Sequence, residues 1–261
     1  MNKLLILYTL YPQLLFAISA KEIMVKNEDI RKLKTIHSSA TLTVGGGEST
    51  IRVKKFTWWR KLTLNNTHFN TLTRFHAPAE IKNEGILFLE HENDQSDVLL
   101  YLPTYRKVRR VEREQQSSSF MGSEFSYADI ATPHVEDFEF KLVKEEKCPL
   151  TPSVKCWAIE NKPIRNQTAE RTGYTKSIQW IRQDNFMVEE AEHYNLQNEL
   201  WKKIKATEIT EVDKTNHKWM SLNLRVDNIK NSKYTTMKFE NVEVNGEIND
   251  ATFTQQKLSN P

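Results

Sequence analysis

The stretch Leu99–Ile130, LLYLPTYRKVRRVEREQQSSSFMGSEFSYADI, is the most informative part of this chain. It starts with an apolar segment that is typical of a β-strand and ends at Pro103, because proline cannot donate a hydrogen bond inside a sheet. Further along, a serine-rich turn leads into Phe120–Tyr127, FMGSEFSY. Between these two segments lies a run of basic residues: Arg106, Lys107, Arg109, Arg110 and Arg113. A block of this length and order is a specific pattern.

The block resembles the characteristic segment of the LolA-like, outer-membrane lipoprotein-sorting family, whose members carry a YLP…VRR…FMGS-[DE]-FSY-x-D pattern. The resemblance extends upstream to Phe75–Lys82 and Gly85–Leu87, and it continues more weakly after Ile164. It implies a periplasmic binding protein with an open, strongly curved antiparallel sheet and a cavity for lipid. The FMGS-type segment is more similar to the subgroup that accompanies RND-type lipid exporters than to the members that carry lipoproteins.

The alternation of apolar and polar residues supports the same fold class. Most segments after the first helix alternate with period two, as in Phe138–Leu142 and Met220–Val226, which is typical of antiparallel strands with one dry face. Turn signals such as Gly45–Gly47 and Asn245-Gly246 separate about 10–12 strand candidates. Because twist makes so long a sheet curl, we predict a mainly β fold with a single strongly curved sheet, a half-open barrel.

Two strand candidates do not alternate. The segments Ile86–Leu89 and Val98–Leu102 are apolar at odd and even positions alike. Successive side chains of a strand point to opposite faces, so a strand of this kind has both faces covered. In a curved sheet, we expect one face to line the interior and the other to pack beneath another element.

An N-terminal helix is predicted over residues 26–38. Asn27 can cap this helix, and Ile30, Leu33 and Ile36 would share one face. We expect the helix to cover the concave side of the sheet.

Two short helices are also expected, over residues 126–131 and 250–258, with Asp250 as the cap of the second. The N-terminal helix and the segment after Phe125 would together form a movable lid over the cavity. Equal hydrogen-exchange protection of both parts with and without a detergent-like ligand would contradict this lid.

The first 20 residues have the composition of a cleaved secretory signal. Lys3 gives a positive start, Leu4–Phe16 is mostly apolar, and Ala17–Ala20 supplies small residues for cleavage. A membrane anchor is the weaker alternative, because the run is short for a span of ~20 residues and contains Pro12. We expect residues 21–261 to form a single periplasmic domain that is soluble after signal cleavage.

The charge balance argues against nucleic acid as a partner. Removing the signal lowers the number of Lys and Arg residues from 37 to 36, against 34 Asp and Glu, which gives a net charge of +2. Domains that bind nucleic acid are usually much more basic, or basic along one stripe.

Cys148 and Cys156 form a close pair, which in an exported chain is typical of a disulfide. The loop between them is short, so the bridge would contribute about 2–3 kcal/mol to stability. Two free buried thiols are the alternative.

The sequence contains none of the motifs that usually mark catalysis, metal binding or cofactor binding. None of the seven histidines pairs with another at the i, i+4 spacing of a helical zinc site. There is no nucleophile elbow, P-loop or dinucleotide fingerprint. The triplet Gly45–Gly47 lacks the lysine and the following helix of a phosphate-binding loop. We therefore predict no metal, no cofactor and no enzymatic activity.

Nine apolar residues are candidates for the wall of a lipid cavity, because flexible and aromatic side chains adapt to a disordered acyl chain. They are Trp58, Phe75, Leu87, Leu89, Leu99, Tyr101, Phe120, Met121 and Phe125. An ordinary packed core is the alternative for part of this set. Trp58 and Trp59 point to opposite faces of one strand, so one of them would be buried and the other available to a ligand or partner.

The basic run Arg106–Arg113 has two interpretations. It can protect an edge strand against pairing with another sheet. Alternatively, it can dock anionic lipid head groups or an acidic partner, because guanidinium groups bind phosphates through paired hydrogen bonds.

These observations predict a periplasmic carrier or chaperone that binds a lipid or lipoprotein acyl chain and transfers it toward the outer membrane. An inner-membrane RND-type transporter or an outer-membrane acceptor would be its partner. The principal alternative is a regulatory module that senses lipid or lipoprotein and signals to a membrane partner. A lipid-acting enzyme and a structural domain with a filled interior are weaker alternatives.

Overall fold

The computed structural model describes residues 18–47, 50–63, 67–91 and 95–260. Most of the predicted signal segment, residues 1–20, lies outside the described residues. No helix within the described ranges is long and apolar enough to span a bilayer.

The fold is one antiparallel sheet of 13 strands, so the predicted mainly β class is confirmed. The strands are β1 (Thr35–Gly46), β2 (Arg52–Leu62), β3 (Phe69–Ala77), β4 (Gly85–His91), β5 (Gln95–Leu102), β6 (Lys107–Val111), β7 (Phe138–Lys147), β8 (Lys155–Pro163), β9 (Tyr174–Arg182), β10 (Val188–Asn195), β11 (Leu200–Asp213), β12 (Lys218–Asn228) and β13 (Lys233–Val244). Their number exceeds the expected range of about 10–12 by one.

The strand order explains why the sheet encloses an interior. It runs β6-β5-β4-β3-β2-β1-β13-β12-β11-β10-β9-β8-β7, so that consecutive strands are neighbours and β13 returns to pair with β1. The two edges, β6 and β7, follow one another in the chain and do not pair. The sheet is therefore a curved, half-open barrel. Residues 112–137 connect its two edges.

Within the described residues, four α-helices accompany the sheet. They are α1 (Ala20–Ile30), α2 (Tyr127–Ile130), α3 (Asn166–Thr172) and α4 (Gln255–Ser259). Ser126 caps α2 by accepting from the backbone N–H of Asp129. Helix α2 therefore lies within the short helix predicted over residues 126–131.

The predicted boundaries of the N-terminal helix, residues 26–38, are wrong. Helix α1 ends at Ile30, and Ile36 belongs to strand β1. Its cap is Ser19, whose hydroxyl accepts from the Glu22 N–H at 3.2 Å while the Glu22 carboxylate accepts from the Ser19 N–H at 2.8 Å. Ser19 lies in the segment that was assigned to the signal. The apparent helical spacing arises because Leu33 and Ile36 are buried and Ile30 is half-buried, although a turn separates Ile30 from the other two.

The C-terminal helix also begins differently from the prediction. Asn249, and not Asp250, caps a short 3-10 turn over Asp250–Phe253 by accepting from the Ala251 N–H. Thr254 interrupts the helix and caps α4. The Thr254 hydroxyl can accept a backbone N–H, which favours a new helix start at this position.

Strands β4 and β5 are covered on both faces, as their composition predicted. Ile86 and Val98 belong to the core on the concave side. On the other face, Leu87 packs in a separate cluster with Phe253 and Leu258 of the C-terminal segment. The C-terminal helix is therefore the element beneath which the outer face of these strands packs.

The disulfide between Cys148 and Cys156 is confirmed. It joins the residue after β7 to the second residue of β8, with the two Cα atoms 5.0 Å apart. The bridge closes the β7–β8 hairpin at one edge of the sheet.

Candidate functional site

The concave side of the sheet contains a cavity of about 300 Å³. Its apolar wall includes Phe56, Trp58, Phe120, Met220, Met237 and Phe239. This volume is twice that of an apolar cavity of ~150 Å³ that holds one benzene ring. The cavity is therefore large enough for roughly twelve carbon atoms of a hydrocarbon chain.

A second cavity of about 180 Å³ adjoins the first. Six residues line both cavities, so the two share one boundary. They are Arg31, Asp129, Ala131, Pro133, Val188 and Ile204. The second cavity is bounded by helix α1 and by strands of the opposite half of the sheet. Together the two cavities follow the concave face from the β1–β3 side to the β7–β10 side.

Helix α1 and residues 126–135, which contain α2, form the cover of these cavities. Ile23 of α1 is fully buried in a cluster with Trp157 and Ile181 of the sheet. The Asn27 side chain donates to the Phe186 carbonyl at 2.7 Å, and the Val135 N–H donates to the Glu28 carboxylate at 3.1 Å. The last contact ties the two parts of the cover to each other.

The nine candidate cavity residues divide between the two faces of the sheet. Trp58 and Phe120 line the larger cavity. Phe75 and Phe125 are buried in the same core cluster, and Met121 packs against it. The remaining four lie on the outer face, in the cluster that contains Leu258; they are Leu87, Leu89, Leu99 and Tyr101. The period-two geometry of β4 and β5 causes this division.

The FMGS segment forms a tight turn beneath the cavity. The Phe120 N–H donates to the Phe125 carbonyl at 2.7 Å. Within the turn, Met121 has φ of 52° and Gly122 has φ of 69°. The turn places the Phe120 ring 6.3 Å from Phe75 and 5.7 Å from Tyr127, between ring centroids. The motif therefore positions an aromatic wall and leads directly into α2.

A buried polar cluster, formed by Asp129, Tyr174, His193 and Lys202, fastens α2 to the far side of the sheet. The Tyr174 hydroxyl donates to the Asp129 carboxylate at 2.8 Å, and Lys202 Nζ lies 3.5 Å from the same carboxylate. The Tyr174 and His193 ring centroids are 4.4 Å apart. Sequence reasoning missed this cluster, because only Asp129, at the end of the FSY-x-D pattern, carried a signal.

The environment of the polar cluster sets its protonation. Burial raises the pKa of the Asp129 carboxyl, but Lys202, His193 and the hydrogen bonds outweigh burial, so the pKa lies below its usual value. Burial lowers the pKa of His193 to about 4, with Lys202 adding to the shift and Asp129 opposing it. Burial and the Asp129 carboxylate raise the pKa of Tyr174 well above its usual value. At neutral pH the cluster therefore holds one ion pair and two neutral rings.

A second polar contact fastens the cover to the near side of the sheet. The Glu90 carboxylate accepts from the N–H of Thr132 at 3.0 Å and from its hydroxyl at 2.8 Å. It also accepts from the Phe69 N–H at 2.8 Å. Arg60 on β2 donates to the Thr132 hydroxyl as well. The cover is thus fastened to both halves of the sheet by polar groups.

The basic run lies on the edge strand β6 and in the turns beside it, away from the cavities. Arg106, Lys107, Arg109 and Arg110 are exposed, and Arg113 is half-buried. Arg110 pairs with Asp97 on β5. This position fits the protected-edge interpretation and leaves most of the basic groups accessible.

One group of potential metal ligands lies in mutual reach within the described ranges, namely Cys148, Cys156 and Glu189. The disulfide engages both sulfur atoms. A single carboxylate oxygen would then remain as a metal ligand.

Solved structures share this fold. A DUF1329 family protein from Desulfovibrio piger is 22% identical, with a TM-score of 0.83 over 92% of this chain and 97% of that one. A domain from Vibrio parahaemolyticus named for outer membrane lipoprotein sorting is 19% identical, with a TM-score of 0.83 over 92% and 98% of the two chains. A LolA superfamily protein from Nitrosomonas europaea is 16% identical, with a TM-score of 0.72 over 92% and 100%.

No curated protein sequence is similar enough to this chain to count as a relative. The model of the DUF1329-like family, whose members are described as uncharacterized proteins, matches residues 68–260. This match covers most of the chain and includes the complete YLP-to-FSY block. The chain therefore belongs to the DUF1329-like family, and its fold is similar to that of the lipoprotein-sorting domain and the LolA superfamily protein.

Proposed function

We propose that the protein is a carrier whose concave cavity holds the hydrocarbon chain of a lipid-like ligand. The observation that carries this proposal is the cavity of about 300 Å³ beneath α2 and the residues that follow it, whose mainly apolar wall includes aromatic and methionine side chains. A sheet whose function was structural only would gain stability by filling this space, because each missing apolar contact costs free energy.

The free energy of the hydrocarbon chain in water, in the cavity and in the membrane allows transfer without any catalysed reaction. A chain of about twelve carbons gains on the order of 10 kcal/mol on leaving water, at ~0.8 kcal/mol per methylene group. A membrane offers nearly the same gain, so transfer in either direction is close to thermoneutral. The carrier's task is to keep the chain out of water during transfer, and a movable cover meets this requirement.

The cover would open as a unit to admit the chain. Its contacts with the sheet include the Asp129 cluster and the Glu90–Thr132 contact, which are polar and can reform after opening. We expect α1 and residues 126–135 to gain hydrogen-exchange protection when a detergent-like ligand binds. Equal protection in both states would show that these segments do not act as a lid.

The biological setting follows from the same proposal. We propose that residues 1–20 are removed as a signal and that residues 21–261 act as one domain in the periplasm. The cargo would be a lipid or a lipoprotein acyl chain, moving toward the outer membrane. The name of the Vibrio parahaemolyticus neighbour, outer membrane lipoprotein sorting, supports this setting. The proposal that an RND-type exporter donates the cargo is supported only by the FMGS-type segment.

A sensing module is the second candidate, and the exposed basic residues of β6 favour it. A sensor needs a partner surface outside the cavity, and Lys107, Arg109 and Arg110 are exposed there. Changing both Arg109 and Arg110 to Glu would abolish capture of a membrane partner by a sensor. The same change in a carrier that hands over its chain through the cavity would leave ligand binding intact.

Binding of a fluorescent fatty acid tests the carrier proposal. Ala206 on β11 lines the larger cavity, so Ala206→Phe would fill part of it. We expect this variant to bind the probe about tenfold more weakly, a loss of ~1.4 kcal/mol. The matched control is Thr207→Phe on the next, exposed position of the same strand, which should bind like the parent. Equal affinity of all three folded proteins would place the probe outside the cavity.

A further inference from the structure

Two guanidinium groups line the apolar cavity. Arg31 follows the last residue of α1 and borders both cavities. Arg60 comes from β2 and borders the larger one, with its guanidinium carbon 3.8 Å from the centroid of the Phe69 ring. Two half-buried positive groups in a wall that is otherwise mainly apolar need an explanation, because charges are costly to remove from water without a partner.

Neither guanidinium contacts a carboxylate in the part of the chain that the structure describes. Within the described residues, no Asp or Glu oxygen lies within 4.0 Å of the nitrogens of Arg31 or Arg60. Arg31 Nε donates to the Asn27 carbonyl at 3.1 Å, and Arg60 donates to the Thr132 hydroxyl. Arg60 Nε is buried and donates to nothing in the described part of the chain.

The nearest acidic groups are already engaged. Glu28 accepts from the Val135 N–H at 3.1 Å and lies 3.7 Å from Lys32 Nζ. Glu90 accepts from the N–H and hydroxyl of Thr132. These carboxylates moderate the field at the two arginines but do not contact them.

Two other cations of the interior lie against carboxylates, whereas the buried Arg74 guanidinium donates to the backbone carbonyls of Asn83, Lys257 and Leu258. Lys202 lies 3.5 Å from the Asp129 carboxylate, and Arg182 lies 3.3 Å from the Glu189 carboxylate. Burial and the charge of Arg60 lower the pKa of Arg31 to about 10, with only partial compensation by Glu28. A guanidinium remains protonated at neutral pH even so, and the cavity wall therefore carries two guanidinium charges that no carboxylate of the described residues contacts.

We propose that Arg31 and Arg60 bind the oxyanion of the ligand's head group, so that the cargo is an anionic amphiphile. The inference rests on the proposed carrier function. Its oxyanion, a carboxylate or a phosphate ester, would lie between the two guanidinium groups, which bind such planar or tetrahedral anions through paired hydrogen bonds. The chain would extend along the wall formed by Phe56, Trp58 and Met237.

Four ligands with the same twelve-carbon chain test the inference on the purified full chain. They are dodecanoate, dodecyl phosphate, dodecanol and dodecyltrimethylammonium, and each competes with a fluorescent fatty acid. We expect the parent protein to bind at least one of the two anions about tenfold or more tightly than dodecanol, because hydrogen bonds to charged groups are stronger than neutral ones. We expect the cation to bind most weakly. Tighter binding of dodecanoate would identify a fatty acid as the natural ligand, and tighter binding of dodecyl phosphate would identify a phospholipid-type head group.

Arginine variants locate the subsite. Arg31→Gln and Arg60→Gln should each lose most of the preference for the anion while binding dodecanol as the parent does. Arg60→Lys keeps the charge and should retain part of the preference, and it replaces Arg60→Gln if that variant does not fold. Arg52→Gln, an exposed change at the start of the same strand β2, is the matched control and should keep the full preference.

The outcomes separate the two proposals. Binding of dodecanol and both anions with equal affinity would overturn the anion subsite and leave the carrier function standing. An anion preference that survives in both Arg→Gln variants would also overturn the subsite. Failure of the parent protein to bind any of the four ligands would overturn the carrier function together with the subsite.

Discussion

At the scale of single residues, His193 shows how the interior controls charge. Its ring lies against Tyr174 and faces Asp129 and Lys202, and its Nδ1 atom finds no hydrogen-bond partner within the described ranges. Burial keeps the imidazole neutral because a second cation beside Lys202 would be costly. The polar cluster therefore holds only one positive charge.

The shifted pKa of His193 predicts a pH dependence of stability. The unfolded chain protonates His193 as the pH falls through 6.5, whereas the folded protein does so only near about 4. Because the unfolded state binds more protons in this window, stability decreases as the pH falls, on the order of 3 kcal/mol in total. Urea unfolding of the parent and of His193→Gln between these two pH values measures the contribution of His193 to the pH dependence of stability. The variant should show a flatter profile, and parallel profiles would contradict the assignment.

Gly122 in the FMGS turn is required for its backbone conformation. Its φ of 69° is unfavourable for residues with a Cβ atom, while a Cβ would meet nothing closer than Lys54 Nζ at 3.7 Å. Gly122→Ala should therefore lower the free energy of unfolding by about 1–2 kcal/mol through backbone strain alone. Gly246→Ala is the control, since it has neither a positive φ nor a neighbour within 4 Å. Equal stability of the two variants in urea unfolding would argue against this explanation.

At the scale of elements, the cover must move if a hydrocarbon chain is to enter and leave the cavity. Helix α2 has only four residues, and the Ser126 cap and the Asp129 contacts hold it in place. So short a helix has little stability of its own. Its position over the cavity therefore depends on the polar cluster.

Asp129→Asn is predicted to loosen the cover. The change removes the partner of the buried Lys202 ammonium, and loss of one partner of a buried ion pair costs about 3–5 kcal/mol. Hydrogen exchange should become faster in residues 126–135 and in α1, while β1–β5 keep their protection. Asp250→Asn, at an exposed acid paired with Lys61, is the control and should leave the exchange unchanged. A uniform loss of protection over the whole sheet would show that the cluster supports the fold and not the cover.

At the scale of the whole molecule, the sheet was predictable because its evidence is local. Alternation of apolar and polar residues within strands such as β12 indicates which face of the sheet is buried. Ile86–Leu89 is apolar at odd and even positions, which correctly predicted that both faces of this strand are covered. The close cysteine pair predicted the disulfide for the same reason. The helix boundary failed because Leu33 and Ile36 satisfy helical and strand burial patterns equally well.

The chemistry of the interior was not predictable because it is assembled over long distances in sequence. Tyr174 and Lys202 lie 45 and 73 residues from Asp129, and only strand register brings the three together. The position of Arg31 and Arg60 in the cavity wall could not be predicted either, because single arginines are common in strands and after helices. Which of the apolar candidates face the cavity also depended on the parity of each strand, and Leu99 and Tyr101 proved to lie on the outer face.

A carrier with this cavity should hold a lipid chain in the cell. Mass spectrometry can identify the lipids extracted from the full chain after its purification from the periplasm of its native host. We expect an anionic lipid or acyl species in near-stoichiometric amount with the parent and with Thr207→Phe, and its depletion from Ala206→Phe. Equal traces of mixed membrane lipids on all three proteins would rule out carriage in this cavity.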